Sequence, residues 1–388
     1  MSKHTLYVGL DVHAETISVA VAEGGRDGEV RSHGRIANRV DAVRKLIKKL
    51  RSGKELRVCY EAGPCGYVLY WQLVELGIHC EVVAPTLIPV KAGVRVKTDR
   101  LDAEKLARCY RAGELTAVWV PTPEHEALRD LVRARQAAKE DQTRARHRLG
   151  KFLLRHGLRK PEKNRPWGAP HMKWLDELKF EHYALEATMT DLLNEVKRAA
   201  ERLERHENAI GYAMEQLSET DQAIVQGLQA LRGVAKTTAI GVFVEIGRFS
   251  RFDHPQQLMG YTGLVPSEYS TGGPGKARRG RITKTGNSRV RWLLTESAWS
   301  YRHRPSTRGD LKKRQELCSE EVRAIAWNAQ QRLNLRYRRL QPRKGANKAV
   351  TAVARELLAF MWAIGVQVEK EQTRASKQAA TRTYELAS

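Results

Sequence analysis

At 388 residues, the chain is long enough for two or three domains of roughly 150 residues each. Its 68 Lys and Arg residues outnumber 44 Asp and Glu residues, giving a formal charge of +24, and 41% of its residues are hydrophobic. These values exclude a wholly disordered chain and favour a polyanionic partner, of which nucleic acid is the usual one. The first 20 residues lack a signal-peptide pattern, so we expect a cytoplasmic protein.

The cysteines give no sign of a disulfide framework. There are five of them, an odd number, and no CxxC pair is present. His13, Cys59 and Cys65 could be grouped as a metal site, but we interpret them as buried or incidental residues.

The first third of the chain alternates between strand-like and helix-like segments. Three β-rich segments come first, at 5–12, 16–23 and 29–36, with turn residues between them. The pattern then predicts helix, strand, helix, strand, helix and a short strand, at Asp41–Leu50, Leu56–Glu61, Tyr67–Leu76, His79–Val83, Asp99–Ala112 and Ala117–Val120. Three strands followed by this alternation are the order of an RNase H-like α/β domain, which we expect over residues 1–122.

The middle of the chain predicts two long helices. One runs from Pro123 to about Arg155, a stretch rich in Pro and Gly follows at 157–172, and a second runs from about Lys173 to Leu217. Two antiparallel helices joined by a polar loop would form a coiled-coil arm over residues 123–220. Such an arm is more often a spacer or a dimerisation element than a site.

The last part predicts a small, mainly helical domain over residues 221–370. A helix at 224–231, a tight turn at Gly233 and a helix from Ala235 resemble the hairpin modules whose backbone amides hold DNA phosphate. Further helices are expected at 289–301 and 346–364. Residues 371–388 have the composition of a disordered tail.

Four acidic residues are candidates for a metal site. Asp11 and Glu61 each end a predicted strand, and Asp99 and Asp102 share one face at the start of a helix. Sites in α/β sheets lie at strand ends, and two Mg²⁺ ions held by carboxylates can clamp both reacting oxygens of a phosphoryl transfer. The alternative is structural: Thr98 or Asp99 could cap the helix, and Glu61 could form an ion pair.

A basic, glycine-rich stretch occupies residues 263–292, reading GLVPSEYSTGGPGKARRGRITKTGNSRVRW. Ser270 and Thr271 precede two glycines, and these are followed by the cations Lys276, Arg278, Arg279, Arg281, Lys284, Arg289 and Arg291. Glycines let backbone amides approach an anion, and Arg and Lys neutralise it. The stretch therefore predicts a nucleic-acid-binding loop, either a passive one or one that takes part in phosphate chemistry.

Taken together, these motifs resemble the DEDD transposases of bacterial insertion sequences. GLDVH, YEAGPCG and KTDRLDAEKLA are similar to the first domain of that family, and LRGVAKTTA, GLVPSEYSTGG and RITKTGN to its C-terminal domain. The resemblance covers nearly the whole chain. It implies an RNase H-like (RuvC-like) domain, a coiled-coil arm, and a C-terminal domain with a catalytic serine. It also implies a DNA recombinase guided by a structured non-coding RNA, the bridge RNA.

The resemblance also implies roles for individual residues. Asp11, Glu61, Asp99 and Asp102 would bind Mg²⁺, and the nucleophile would lie in SEYSTGG. Family members differ in whether the hydroxyl directly precedes the glycine, so Ser270 and Thr271 are both candidates. We favour Ser270, because its primary hydroxyl is less hindered than a β-branched one.

Two other functions fit the same sequence. One is a RuvC-like junction endonuclease that uses a metal-activated water, and the other is a non-catalytic nucleic-acid-binding protein. For the recombinase, paired strand cleavages lead us to expect a homo-oligomer, either a dimer or a tetramer.

Overall fold

The computed structural model describes residues 5–25, 27–51, 53–89, 98–163, 165–269 and 278–387. The chain divides into two compact units, Met1–Pro121 and Thr122–Ser388.

The elements of the first unit follow the predicted order. They are β1 (Thr5–Val12), β2 (Thr16–Glu23), β3 (Val30–Ala37), α1 (Val40–Leu50), β4 (Glu55–Glu61), α2 (Val68–Glu75), β5 (His79–Val83) and α3 (Asp99–Ala112). The strand predicted at 117–120 is wrong, because only a single bridge forms there, between Ala117 and Val83. Pro121 follows at once and has no N–H to extend the pairing.

The first unit is built on one mixed sheet of order β3-β2-β1-β4-β5. The first three strands are antiparallel to one another, and β4 and β5 continue parallel to β1. Alternate residues of β1 face opposite sides, so Leu6, Val8 and Leu10 pack with α1 and α2, while Tyr7 packs with α3. This mixed α/β arrangement agrees with the predicted fold class.

Helix α3 lies very close to the sheet because the residues beneath it are small. Ala20, Ala22 and Cys59 contribute to this interface, and Gly9 lies on the same side as Tyr7. A Cβ atom at Gly9 would be 2.4 Å from both the carbonyl oxygen of Ala103 and the backbone nitrogen of Ala107. Gly9 therefore sets how closely α3 can approach β1.

We expect Gly9→Ala to destabilise the first unit, because the new methyl group would meet backbone atoms that cannot rotate away. Overpacking of this kind costs about 1–3 kcal/mol, measured as a lower free energy of unfolding in urea. Gly150→Ala is the control, since a Cβ atom there would meet nothing within 4 Å and the site is helical. Equal stability of the Gly9→Ala protein and the wild type would show that the interface between α3 and β1 can accommodate an additional methyl group.

The second unit is mainly helical. Its elements are α4 (Pro123–Arg155), α5 (Ala169–Glu177), α6 (Tyr183–Glu215), α7 (Glu219–Leu228), α8 (Lys236–Ile246), α9 (Pro255–Thr262), β6 (Pro266–Tyr269), β7 (Arg278–Ile282), α10 (Ser288–Ala298), α11 (Asp310–Glu316), α12 (Glu320–Lys344) and α13 (Ala346–Ala387). The predicted helix, tight turn and helix around Gly233 are present as α7 and α8, and Gly233 has a φ of 80°.

The two long helices α4 and α6 pack together, with Phe152 of α4 and Leu193 of α6 in one hydrophobic cluster. The prediction of one continuous helix from Lys173 to Leu217 is wrong, because α5 ends at Glu177 and α6 begins at Tyr183. The backbone N–H of Phe180 donates to Glu186 Oε2 at 2.9 Å, which fixes the non-helical link between them.

Helix α13 is the core helix of the second unit. Residues 346–378 are long and apolar enough to cross a membrane, but half of their most apolar window is buried inside the protein. Val350, Val353 and Leu357 are fully buried against the neighbouring helices. A buried core helix accounts for this apolar composition.

Helix α13 continues to Ala387 and so extends through most of the residues whose composition predicted a disordered tail. The residues after Lys370 include many Ala, Glu, Lys, Arg and Gln, all of which are strong helix formers. Low hydrophobicity, which suggested disorder, is equally compatible with an extension of a helix whose earlier part is anchored in the core.

Candidate functional site

Strand register places Asp11 in a row of polar residues at one end of the sheet. Asp11 pairs with Ser18 of β2, and Ser18 pairs with Arg35 of β3. Leu10 pairs with Tyr60, so Glu61 occupies the position on β4 that matches Asp11 on β1. The predicted strand-end acids are therefore neighbours in the sheet.

Helix α3 brings a third carboxylate to this end of the sheet. Thr98 caps the helix through its side chain, which accepts a hydrogen bond from the backbone N–H of Leu101 at 3.3 Å. Asp99 is the first residue of the helix, and its Oδ1 lies 3.7 Å from His13 Nε2. His13 Nε2 in turn lies 3.2 Å from Asp11 Oδ2. We call Asp11, His13 and Asp99 the acidic cluster, because one potential ligand atom from each lies within 4.8 Å of the others.

Two basic residues, one within the acidic cluster and one beside it, contact its carboxylates and were not identified from the sequence. His13, which we interpreted as incidental, contacts both carboxylates. Arg35 donates from Nη2 to Asp99 Oδ2 at 2.9 Å. The spacing of Asp11 and His13 in GLDVH could have identified His13 as a member of the cluster. The position of Arg35 depends on strand register, and no sequence pattern indicates it.

The other two predicted acids lie around this cluster. Asp102 is in the first turn of α3, and its charge raises the pKa of Asp11. Glu61 is exposed at the end of β4. Within the described ranges, the group of ligand atoms within 4.8 Å contains Asp11 and Asp99 but neither Asp102 nor Glu61.

The environment of Asp11 disfavours an uncompensated negative charge. Burial raises the pKa of Asp11 above its ordinary value of 3.8, His13 opposes this shift, and Asp99 and Asp102 reinforce it. The Asp11 side chain is only 17% exposed, while that of Asp99 is 41% exposed. A cation that reached the cluster from the Asp99 side would relieve the repulsion between these carboxylates.

The donor atoms of this cluster suit a divalent cation. Carboxylate oxygens are the ligands that Mg²⁺ prefers, and it retains several waters, so a partly exposed pair of carboxylates is sufficient to hold it. The imidazole of His13 is a ligand type that additionally suits transition metals such as Zn²⁺ or Fe²⁺. The residues present therefore fit a metal-dependent site, with Asp11 and Asp99 as the ligands that the geometry supports best.

In the second unit, the start of the basic stretch packs closely against its residues 284–286. Strands β6 and β7 are antiparallel, and the backbone N–H of Lys284 donates to the Gly263 carbonyl at 3.1 Å. Gly286 has a φ of 96°, and a Cβ atom there would lie 2.1 Å from the carbonyl oxygen of Tyr261. The glycine of RITKTGN is thus required for close packing of the chain.

The predicted nucleic-acid-binding residues have different environments. Ser270, Thr271 and Lys276 lie outside the described residues, and Arg278 and Arg279 belong to β7. Among the predicted cations whose exposure the structure describes, Arg281, Lys284 and Arg289 are exposed. Arg291 is half-buried and donates from Nη1 to the Thr262 carbonyl at 2.7 Å, so it contributes to the packing of α9 against α10.

A buried carboxylate connects three helices of the second unit. Glu245 of α8 accepts two hydrogen bonds of 2.9 Å from Arg133 of α4 and one of 2.8 Å from the side-chain amide of Asn287. The Asn287 side-chain oxygen caps α10 by accepting from the N–H of Val290. Burial alone would raise the pKa of Glu245, but Arg133 and Asn287 outweigh it and the pKa is lowered. We call these three residues the Glu245 hub, and the sequence gave no sign of them.

The first unit is a DEDD transposase domain, a class that has an RNase H-like fold, and its mixed five-stranded sheet agrees with that fold. A DEDD transposase family model of IS110 type matches residues 8–157, and the model of the IS116/IS110/IS902 transposase family matches residues 225–314.

Whole-chain relatives agree with these matches. The chain is 47% identical to a putative transposase, y4qE, of Sinorhizobium fredii, over 92% of this chain and 88% of that protein. It is 33% identical to the transposase for insertion sequence element IS1533 of Leptospira borgpetersenii, over 88% of this chain and 98% of that protein. The chain belongs to the IS110/IS116/IS902 family of insertion-sequence transposases. Its partner is DNA, and proteins of this class are expected to be soluble and to depend on a divalent metal.

Proposed function

We propose that this transposase cuts and rejoins DNA in the cytoplasm by Mg²⁺-dependent transesterification, with Ser270 as the nucleophile. The observation that carries the proposal is the acidic cluster. In it, His13 Nε2 lies 3.2 Å from Asp11 Oδ2 and 3.7 Å from Asp99 Oδ1. Glu61 at the matching strand end and Asp102 one turn along α3 complete the proposed ligand set.

The proposed reaction is a pair of phosphoryl transfers. The hydroxyl oxygen of Ser270 attacks the scissile phosphorus, and its bond to phosphorus forms as the bond to the leaving strand oxygen breaks. The serine proton passes to a base, and the leaving oxygen is protonated to give a strand hydroxyl. A hydroxyl of the new strand then attacks the same phosphorus and restores the serine. Since each bond broken is replaced by an equivalent one, no ATP is needed.

The residues of the chain have separate roles in this proposal. Asp11, Glu61, Asp99 and Asp102 hold the metal, which when bound stabilises the charge that develops on the phosphate oxygens. Arg35 and His13 keep the carboxylates in position by offsetting their repulsion. The exposed cations Arg281, Lys284 and Arg289 hold the DNA backbone near the nucleophile.

The identity of the nucleophile is tested by trapping the covalent intermediate. We expect a DNA strand carrying the element end to become attached to the wild-type protein on a denaturing gel. The Ser270→Ala variant should lose this adduct and Thr271→Ala should retain it. Loss in Thr271→Ala alone would assign the reaction to the threonine, and retention in both variants would contradict the proposal.

We further propose that a structured RNA encoded by the element guides the protein to its target, and that it acts as a dimer or tetramer with a coiled-coil arm formed by α4 and α6. The support is the family membership and the high positive charge of the chain. Purification from cells carrying the element, followed by RNA sequencing, should recover one discrete RNA. Recovery of bulk cellular RNA alone would contradict guidance.

The two alternative functions predict different products. A RuvC-like endonuclease would cleave without any protein-bound strand, and its activity would survive Ser270→Ala. A non-catalytic binding protein would leave strand exchange unchanged when Asp11 and Glu61 are replaced by Ala and when divalent metal is removed.

A further inference from the structure

A cavity in the second unit lies beside the Glu245 hub, between helices α4, α8 and α10. Its volume is about 520 Å³, which is within the usual range for a small-molecule or single-nucleotide site. Its lining includes Arg135, Gln136, Thr237, Glu245, Arg289 and Trp292. We call it the hub cavity.

The wall of the hub cavity exposes an aromatic ring. Trp292 is 49% exposed, although its neighbours on α10, Val290 and Leu294, are fully buried. Exposure of a large apolar ring to solvent does not stabilise the fold, but it leaves the ring free to stack on an aromatic ligand. Stacking of a nucleic-acid base on such a ring is favourable and tolerates any base, because every base has a π face.

The polar groups of the cavity can bind the phosphate and the base edge of a nucleotide. Arg289 is exposed and, within the part of the chain that the structure describes, makes no ion pair, so it can bind a phosphate. Gln136 donates from its side-chain amide to Glu140 Oε1 at 3.1 Å, and both line the cavity. An amide and a carboxylate offer the donor and acceptor atoms that the edge of a base requires.

Hydrogen bonds and packing within the protein hold the cavity in shape without a ligand. Arg133 is fixed by two hydrogen bonds to Glu245, and Arg135 is paired with Glu207. Gly241 allows α10 to approach α8, since a Cβ atom at this position would lie 2.8 Å from Leu293 Cδ1. The stacking ring and the phosphate-binding cation are therefore presented by a rigid scaffold.

We propose that the hub cavity binds one unstacked nucleotide of a single-stranded segment, with its base on Trp292 and its phosphate on Arg289. The ligand chemistry is common to DNA and RNA. The proposal rests on the nucleic-acid partner of the transposase and is independent of the serine chemistry. It gives the protein a means of holding a strand that has been separated from its complement.

The test is the binding of dye-labelled oligonucleotides to the full-length protein, followed by fluorescence anisotropy. The probes are a single-stranded DNA, an RNA of the same sequence, and the corresponding DNA duplex. The variants are Trp292→Ala, Trp292→Phe and, as a matched control, Trp327→Ala, since Trp327 is 41% exposed and does not line the cavity. Ser270→Ala is included to separate this proposal from the catalytic one.

We expect Trp292→Ala to weaken single-strand binding about tenfold, which is the loss of one stacked base. Trp292→Phe should recover most of the affinity, and Trp327→Ala, Ser270→Ala and duplex binding should change less than about twofold. Arg289→Ala should lower the slope of log Kd against log salt concentration, whereas Trp292→Ala should leave it unchanged. Losses confined to the DNA or the RNA strand would identify which is the ligand.

Two results would overturn the proposal. One is wild-type affinity of Trp292→Ala for both single strands, and the other is an equal loss for the single strands and the duplex. Photocrosslinking with a 5-iodouracil-containing strand provides a measurement that does not depend on a variant folding correctly. The crosslinked peptide should contain Trp292, and a crosslink elsewhere without one at Trp292 would count against the assignment.

Discussion

Replacing Asp11 with Asn is expected to abolish DNA strand cleavage while leaving the fold intact. The substitution keeps the shape of the side chain but removes the charge that we propose holds a metal beside Asp99. Loss of even an outer partner of a metal site lowers activity about 10–100-fold, so removal of a ligand should cost at least on the order of 10²-fold. Cleavage of labelled element ends in Mg²⁺ measures the effect, and EDTA should abolish wild-type cleavage in the same assay.

The same variant should not be less stable than the wild type. Because the pKa of Asp11 is raised in the folded state, ionisation of Asp11 is less favourable in the folded protein than in the unfolded chain. The ionised form therefore reduces stability as the pH rises through that raised pKa. Without metal at pH 7, Asp11→Asn should have an equal or higher melting temperature. The exposed Asp41→Asn is the control for both assays, and a lower melting temperature for Asp11→Asn would assign Asp11 a structural role.

Replacing Glu245 with Ala is expected to destabilise the second unit by about 3 kcal/mol. The variant leaves the Arg133 guanidinium and the Asn287 amide without their buried partner, and breaking such pairs costs about 3–5 kcal/mol. We expect the lower end of this energy range, because the Arg133 side chain is 40% exposed and can recover some hydration. Urea denaturation measures the change, with the exposed Glu204→Ala as a control.

Two further measurements assign that loss to the Glu245 hub. Adding Arg133→Ala to Glu245→Ala should cost much less than the sum of the single changes, because the two residues form one interaction. The pKa of Glu245 is lowered, so its contribution is complete above the unfolded pKa and is lost as the pH falls through the folded pKa. Glu245→Gln should therefore flatten the dependence of stability on pH between these values, and additive costs would contradict a shared hub.

Local sequence patterns were sufficient for most of the first unit. Alternation in β1 and β2, and helical spacing in α1 and α3, gave element bounds within about two residues of the structure. Asp11 and Asp99 could be predicted as a pair, because one ends a strand and the other begins a helix that packs on the same sheet. These features depend on residues that are close together in the sequence, so the sequence alone is sufficient to predict them.

Features that depend on register or on distant packing could not be predicted. Arg35 reaches Asp99 only through the pairing of β3 with β2 and β1, and the Glu245 hub joins residues from α4, α8 and the start of α10. The break between α5 and α6 depends on a hydrogen bond between Phe180 and Glu186. Polar composition after Lys370 predicted disorder because it does not reveal that α13 is anchored in the core.

In the mechanism that we propose, the scissile phosphate passes to the protein and not to water. This transfer is tested most directly by running cleavage in water enriched in ¹⁸O, digesting the protein, and weighing the cleaved strand by mass spectrometry. We expect a scissile phosphate attached to the peptide that contains Ser270, with no oxygen derived from solvent. A free phosphate end carrying one solvent ¹⁸O atom would contradict it and would establish hydrolysis.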